Sequence, residues 1–137
     1  MTRATTWLLA VLLAAGCASP GAATTAPGLT LSALATTVSV AEAAALRDNG
    51  AFVLDVREPD EWAAGHIPDA TLIPLGQLAS RVGELDRDRQ IVVVCRSGNR
   101  SAEGRDILLG ADFPAVTSLD GGMTDWGQAG MPMETGG

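Results

Sequence analysis

One cysteine, two arginines and the small residues between them hold most of the reactive potential of this 137-residue chain. The stretch Cys95-Arg96-Ser97-Gly98-Asn99-Arg100-Ser101 directly follows Ile91-Val92-Val93-Val94, an apolar, β-branched run that reads as a fully buried strand. Residues 102–109 after it have helical character. A cysteine at the end of a buried strand, ahead of a short loop and a helix start, stands where open α/β sheets bind ligands. Loop N–H groups from Arg96 to Ser101 and the N-terminus of the next helix would all face an anion there. Arg96 and Arg100 add charge that no relevant pH removes. These influences lower a thiol's pKa, and the thiolate is the reactive form. Ser97-Gly98-Asn99 is a turn composition, which argues against a buried, inert cysteine.

A second strand end offers more candidates. Ala51-Phe52-Val53-Leu54-Asp55-Val56 reads as a buried strand, and Arg57 follows it. In a parallel sheet Arg57 would stand close to the same crevice, either as a second anion-binding group or as a solvated surface arginine. Asp55 is read as orienting a neighbour and not as a base, because a cysteine that is already thiolate needs none. Glu58 is a supporting carboxylate nearby. His66 is the single histidine. A Cys–His pair would suit nucleophilic catalysis, but Gly65-His66-Ile67-Pro68 is a turn far in sequence from the loop. Cys17, Cys95 and one histidine, scattered as they are, cannot build a zinc site. No metal and no cofactor is implied.

The elements that must position these residues are legible in order. Ser39-Val40-Ala41-Glu42 is a capping box opening a helix through Arg47, and Asn49-Gly50 closes it. The strand at 51–56 is followed by a short helix at 59–64, stopped by Gly65. Thr71-Leu72-Ile73 is a further strand. Apolar residues at 75, 78, 82 and 85 make a helical stripe. After the cysteine loop and its helix come a strand at 115–119 and a short helix around 123–126. Trp62 and Trp126 are read as core residues. Gly121-Gly122 either permits a tight backbone approach near the pocket mouth or forms a plain turn. Strands alternating with helices give one α/β domain, its sheet mostly parallel and covered on both faces.

Charge and the N-terminus bound the partners. Nine basic residues, all arginine, stand against sixteen acidic ones, for a net charge of −7. That argues against nucleic acid and an anionic membrane surface as partners, and makes the arginines beside Cys95 a local exception. Arg3 precedes an apolar run at 7–15, too short to span a bilayer. Ala14-Ala15-Gly16-Cys17 then resembles the lipobox of bacterial lipoproteins, where cleavage before the cysteine leaves it lipid-modified, with palmitate as an expected acyl group. Leu13 lies one place earlier than the usual leucine. The alternatives are an ordinary cleaved signal peptide and an uncleaved anchor. Residues 1–17 are thus expected as signal peptide and 18–36 as a flexible tether, with 37–137 as the domain; a strand at 29–34 is the other reading of the tether. The expected location is extracytoplasmic, on the bacterial cell membrane through the N-terminal lipid only.

Three ordered motifs resemble one family. Cys-Arg-Ser-Gly-Asn-Arg-Ser at 95–101 resembles the active-site loop of single-domain rhodaneses, sulfurtransferases that carry sulfane sulfur as a cysteine persulfide. Asp55-Val56-Arg57-Glu58-Pro59, with Glu61-Trp62 and Gly65-His66-Ile67-Pro68, is similar to the family's first signature. Leu119-Asp120-Gly121-Gly122, with Trp126, Gly130 and Pro132, is similar to its C-terminal signature. The resemblance covers about 38–133 and implies a central five-stranded sheet with helices on both faces. Four positions depart from the family's habit: Asp69 and Asp112 stand where glycine is usual, and Gly104-Arg105 replaces a pair of alanines.

The resemblance implies that Cys95 takes the outer sulfur of a donor such as thiosulfate and passes it to a thiol or cyanide. Arg96 would bind donor oxygens and Arg100 would brace the loop against Asp55 or Glu58, although either arginine could contact substrate. Ser97, Gly98, Asn99 and Ser101 complete the substrate-binding loop, and His66 is structural in the family. A monomer is expected. A rival is cysteine-phosphatase chemistry, which needs five residues between cysteine and arginine; here there are four. A non-turnover persulfide carrier or a tethered binding module would retain most of the same features.

Overall fold

A computed structural model describes residues 31–137. The signal segment, the lipobox with Cys17 and the tether as far as residue 30 lie outside the described residues. In chain order the elements are β1 (Thr37–Val38), α1 (Val40–Asp48), β2 (Phe52–Asp55), α2 (Pro59–Ala64) and β3 (Thr71–Leu72). Then follow α3 (Leu75–Arg81), β4 (Ile91–Val94), α4 (Asn99–Gly110), β5 (Val116–Leu119) and α5 (Gly122–Gln128). The strands form one sheet in the order β1-β5-β4-β2-β3, and every pairing is parallel.

Local chemistry accounts for most boundaries. Ser39 Oγ accepts the Glu42 N–H at 3.4 Å while Glu42 Oε2 accepts the Ser39 N–H at 2.8 Å, closing the capping box of α1. The Asn49 side-chain amide donates to the Ala45 carbonyl at 2.8 Å, and Gly50 turns the chain at φ +93°. α3 ends at Arg81 and continues as a 3-10 turn over Val82–Glu84, short of the full helix that the stripe to Leu85 suggests. Asp69 and Asp112 both adopt φ +64°, the left-handed conformation that aspartate tolerates better than most side chains.

Alternation along the strands feeds two cores. Val53, Val92, Val94 and Leu119 face Ala43 of α1 and Met123 and Trp126 of α5. Leu54, Ile91, Val93 and Val116 face Leu78 of α3 and Leu108 of α4, with Cys95 and Phe113 in the same cluster. Gly104 lets α4 lie close on the sheet, since a Cβ there would stand 3.1 Å from Val93 Cγ1 and 3.3 Å from Val56 Cγ1. Trp126 is fully buried, whereas Trp62 is only half-buried and sits outside both clusters. The core placement expected for Trp62 is therefore corrected.

The fifth strand is Thr37–Val38, pairing with Ser118 and Leu119 of β5; residues 31–34 form no strand. Two residues are too few to show a period of their own, and only the partner strand defines them. Arg105 helps hold this edge. Its guanidinium reaches from α4 to donate to the Ser118 hydroxyl and the Thr36 carbonyl, both at 3.1 Å, and pairs with Asp106 at 2.7 Å. What a pair of alanines would pack with methyl groups is here a polar strut to the edge of the sheet.

Candidate active site

Parallel pairing brings the ends of β2 and β4 side by side, with Asp55 opposite Val94, so Arg57 and Cys95 both emerge at the carboxyl end of the sheet. The loop after β4 then turns sharply. Gly98 adopts φ +105° and caps α4, and the Ala102 N–H donates to the Gly98 carbonyl at 3.0 Å. α4 therefore starts at Asn99, three residues before the expected start, because the glycine places the loop's own tail in the first helical turn.

Cys95 is almost fully buried, with its Sγ accepting the Gly98 N–H at 3.1 Å and lying 3.5 Å from the Ser101 hydroxyl. Burial is the largest single influence on the thiol and pushes its pKa up. The Ser101 hydroxyl, with the N–H groups of Ser101, Ser97 and Gly98, together outweighs burial and holds the pKa below its ordinary value. Cys95 is thus biased toward thiolate with no base beside it among the described residues.

The loop is fixed from two sides. From α5, the Met123 N–H donates to the Cys95 carbonyl at 2.8 Å, and the Thr124 N–H and hydroxyl donate to the Arg96 carbonyl at 3.1 and 2.9 Å. Gly122 makes this approach possible: it sits at φ +57°, and a Cβ there would overlap the Cys95 carbonyl oxygen. The tight backbone approach is therefore the role of Gly122. From α2, Glu61 holds Arg100 in a two-pronged pair with both N···O distances at 2.7 Å. The Arg100 hydrogen bonds are the main reason that the Glu61 carboxyl is lowered to about 2. Arg100 braces the loop against Glu61, and not against Asp55 or Glu58.

Arg57 is also committed. It is buried, and bonds Asp55 through Nε at 3.0 Å and Nη2 at 2.7 Å, with further bonds to the carbonyls of Gly65 at 2.8 Å and Glu61 at 3.2 Å. Asp55, itself buried, orients it. Arg57 is neither the open anion-binding group nor the solvated arginine of the sequence reading: its donors tie the end of β2 to α2. Arg96, by contrast, is exposed at the mouth with Ser97 and Asn99, and its guanidinium has no carboxylate partner among the described residues. Of the three site arginines it alone is available to an incoming anion.

Residues 39–129 match the family described as the rhodanese-like domain. This chain belongs to the rhodanese-like family. It is 39% identical over 94 residues to thiosulfate sulfurtransferase GlpE of Pseudomonas syringae pv. syringae, covering 69% of this chain and 88% of that protein. It is 37% identical over 82 residues to a sulfurtransferase of Allochromatium vinosum, covering 60% of this chain and 77% of the relative. Among solved structures, a rhodanese-related protein of Thermoplasma volcanium superposes with a TM-score of 0.67 at 30% identity, covering 73% of this chain and 98% of that one.

Around this rhodanese-like loop the remaining candidates take other places. His66 stacks on Trp62 with ring centroids 3.6 Å apart and places Nδ1 3.0 Å from the Trp62 carbonyl. Its backbone pairs in both directions with Glu134 at 2.8 Å. It pins the C-terminal segment and is not paired with Cys95. Glu58 is exposed, and its N–H donates to the Glu61 carboxylate at 3.2 Å. Two contributors escaped the sequence reading. Glu61 carries a usable signal, a carboxylate in the first turn of a helix that opens with Pro59. Thr124 carries none, since only the packing of α5 brings it to the loop.

Proposed function

We propose that this protein is a sulfurtransferase that moves sulfane sulfur from a donor such as thiosulfate, through a persulfide on Cys95, to a thiol or cyanide. In the first half-reaction the Cys95 thiolate attacks the outer sulfur of thiosulfate. The sulfur–sulfur bond of the donor breaks, sulfite departs with the bonding pair, and the enzyme keeps an anionic persulfide. In the second, cyanide or a thiolate attacks the terminal sulfur, leaves as thiocyanate or a new persulfide, and returns Cys95 as thiolate. Charge balances in both steps without a proton transfer. Arg96 meets the donor's oxygens, and the loop N–H groups hold the sulfur anion.

The observation that supports this most directly is a buried cysteine biased toward thiolate beneath one uncommitted arginine. Four residues between Cys95 and Arg100, with Arg100 turned to Glu61, make a smaller cradle than a tetrahedral phosphate needs, better fitted to a sulfur atom. We also propose that Cys17 is the lipid-modified N-terminus of the mature protein, holding the domain outside the cell as a membrane-anchored monomer.

The test is the intact mass of the purified protein before and after thiosulfate, with Cys95→Ser alongside. The expected result is a gain of one sulfur, about 32 Da, rapidly reversed by cyanide and absent from the variant. A gain that cyanide removes only slowly would instead favour a persulfide carrier. No gain with any sulfane donor would overturn sulfur transfer altogether.

A further inference from the structure

The Ser101 hydroxyl stands between two acceptors. Its Oγ lies 2.8 Å from the Gly98 carbonyl oxygen and 3.5 Å from Cys95 Sγ, and the residue is fully buried. A hydroxyl has one proton and two acceptor sites, so it can donate in only one of these directions at a time. When Cys95 is a thiol, the S–H can donate to Oγ while the hydroxyl proton goes to Gly98. When Cys95 is a thiolate, that arrangement would leave an oxygen lone pair facing a buried anion. The hydroxyl must then turn and donate to sulfur. Turning leaves nothing orphaned, because the Gly98 carbonyl keeps the Ala102 N–H at 3.0 Å.

From this geometry we propose that Ser101 is a positioning residue whose hydroxyl changes partner with the charge of Cys95, donating to Gly98 beside the thiol and to Sγ beside the thiolate. The inference rests on the sulfurtransferase reading for its place in the cycle, though not for its test. In that cycle Cys95 is the leaving group of the second half-reaction: the bond between Sγ and the terminal sulfur breaks and Sγ takes the electron pair. The hydroxyl donates to the sulfur that gains the charge, while the Gly98 N–H, at 3.1 Å, serves both states without moving.

The charged groups near the thiol are Arg96 and Arg100 of the loop, the paired Asp55 and Arg57 at the end of β2, Glu61 of α2 and Asp120 after β5, whose Oδ1 lies beside Gly98. Substituting Ser101 changes none of them. The experiment is the pH dependence of Cys95 alkylation by iodoacetamide in the wild type, Ser101→Ala and Ser101→Thr, each checked by thermal melting. Alanine should move the alkylation midpoint up by about one pH unit, the size of one hydrogen bond to a charged group. Threonine, which keeps the hydroxyl, should restore it. Preloaded Ser101→Ala should also release sulfur to cyanide about tenfold more slowly at a pH where cyanide reactivity is matched. An unmoved midpoint in folded Ser101→Ala would overturn the proposal, and so would a folded threonine variant that behaves like alanine. Failure of the wild type to take up sulfur would instead count against sulfur transfer, and the alkylation comparison would still decide the role of Ser101.

Discussion

Three arginines lie near Cys95, and their partners give them three different jobs. Arg57 is buried against Asp55, and removing one member of such a pair strands the other charge in a low-dielectric interior. Arg57→Met should therefore destabilise the fold by roughly 3–5 kcal/mol, read as a fall in the midpoint of urea unfolding. Arg96 is exposed and unpaired among the described residues. Arg96→Ala should leave stability within about 0.5 kcal/mol of wild type, yet lower the rate of sulfur loading from thiosulfate. If the two variants lose stability equally, the division between a structural and a substrate-facing arginine is wrong.

Between elements, the tie that matters is the pair joining Glu61 of α2 to Arg100 at the start of α4. The Glu61 carboxyl is lowered from 4.5 to about 2 when folded. A carboxyl with a depressed folded pKa contributes stability that is fully present above its unfolded value and lost as pH falls through the folded one. The contribution should thus disappear between about pH 4.5 and pH 2. Glu61→Gln lacks it at every pH, so denaturant unfolding should show a large difference from wild type at pH 6 that narrows toward pH 2. A difference that stays constant across this range would remove the pair from the account. The gap is discounted by solvent, because the two side chains are 33% and 24% exposed. The other side of the loop is held differently, by the close backbone approach at Gly122, which does not titrate.

At the scale of the whole molecule, a net charge of −7 would repel the proposed anionic donor, against its attraction to Arg96 at the mouth. Beyond roughly 8 Å the general repulsion is screened at physiological salt, while contact with Arg96 is shorter in range. Raising ionic strength from very low values to about 0.15 M should therefore speed sulfur loading from thiosulfate, the reverse of an enzyme that steers its anion in. Stopped-flow or quenched mass measurements over a salt series would check the sign. A rate that falls with salt would mean that the local field of the loop dominates at long range too.

Local rules were enough for much of this. Ser39 and Glu42 cap α1 through neighbours three residues apart, Ile91 to Val94 are apolar on both faces because a central parallel strand is covered on both, and Cys95 to Ser101 announce a reactive turn by composition. The family, the parallel α/β class and the candidate nucleophile are legible in such short-range patterns, which act over a few residues and repeat along the chain. Tertiary structure decided the rest. Glu61, 39 residues before Arg100, becomes its partner only because β2 lies beside β4. Arg57 is buried because β2 delivers it under α2, and β1 is a strand only by virtue of β5. Which carboxylate meets which guanidinium depends on strand order and helix packing. Charge pairing has no period to read along the chain: it is set by distance in space.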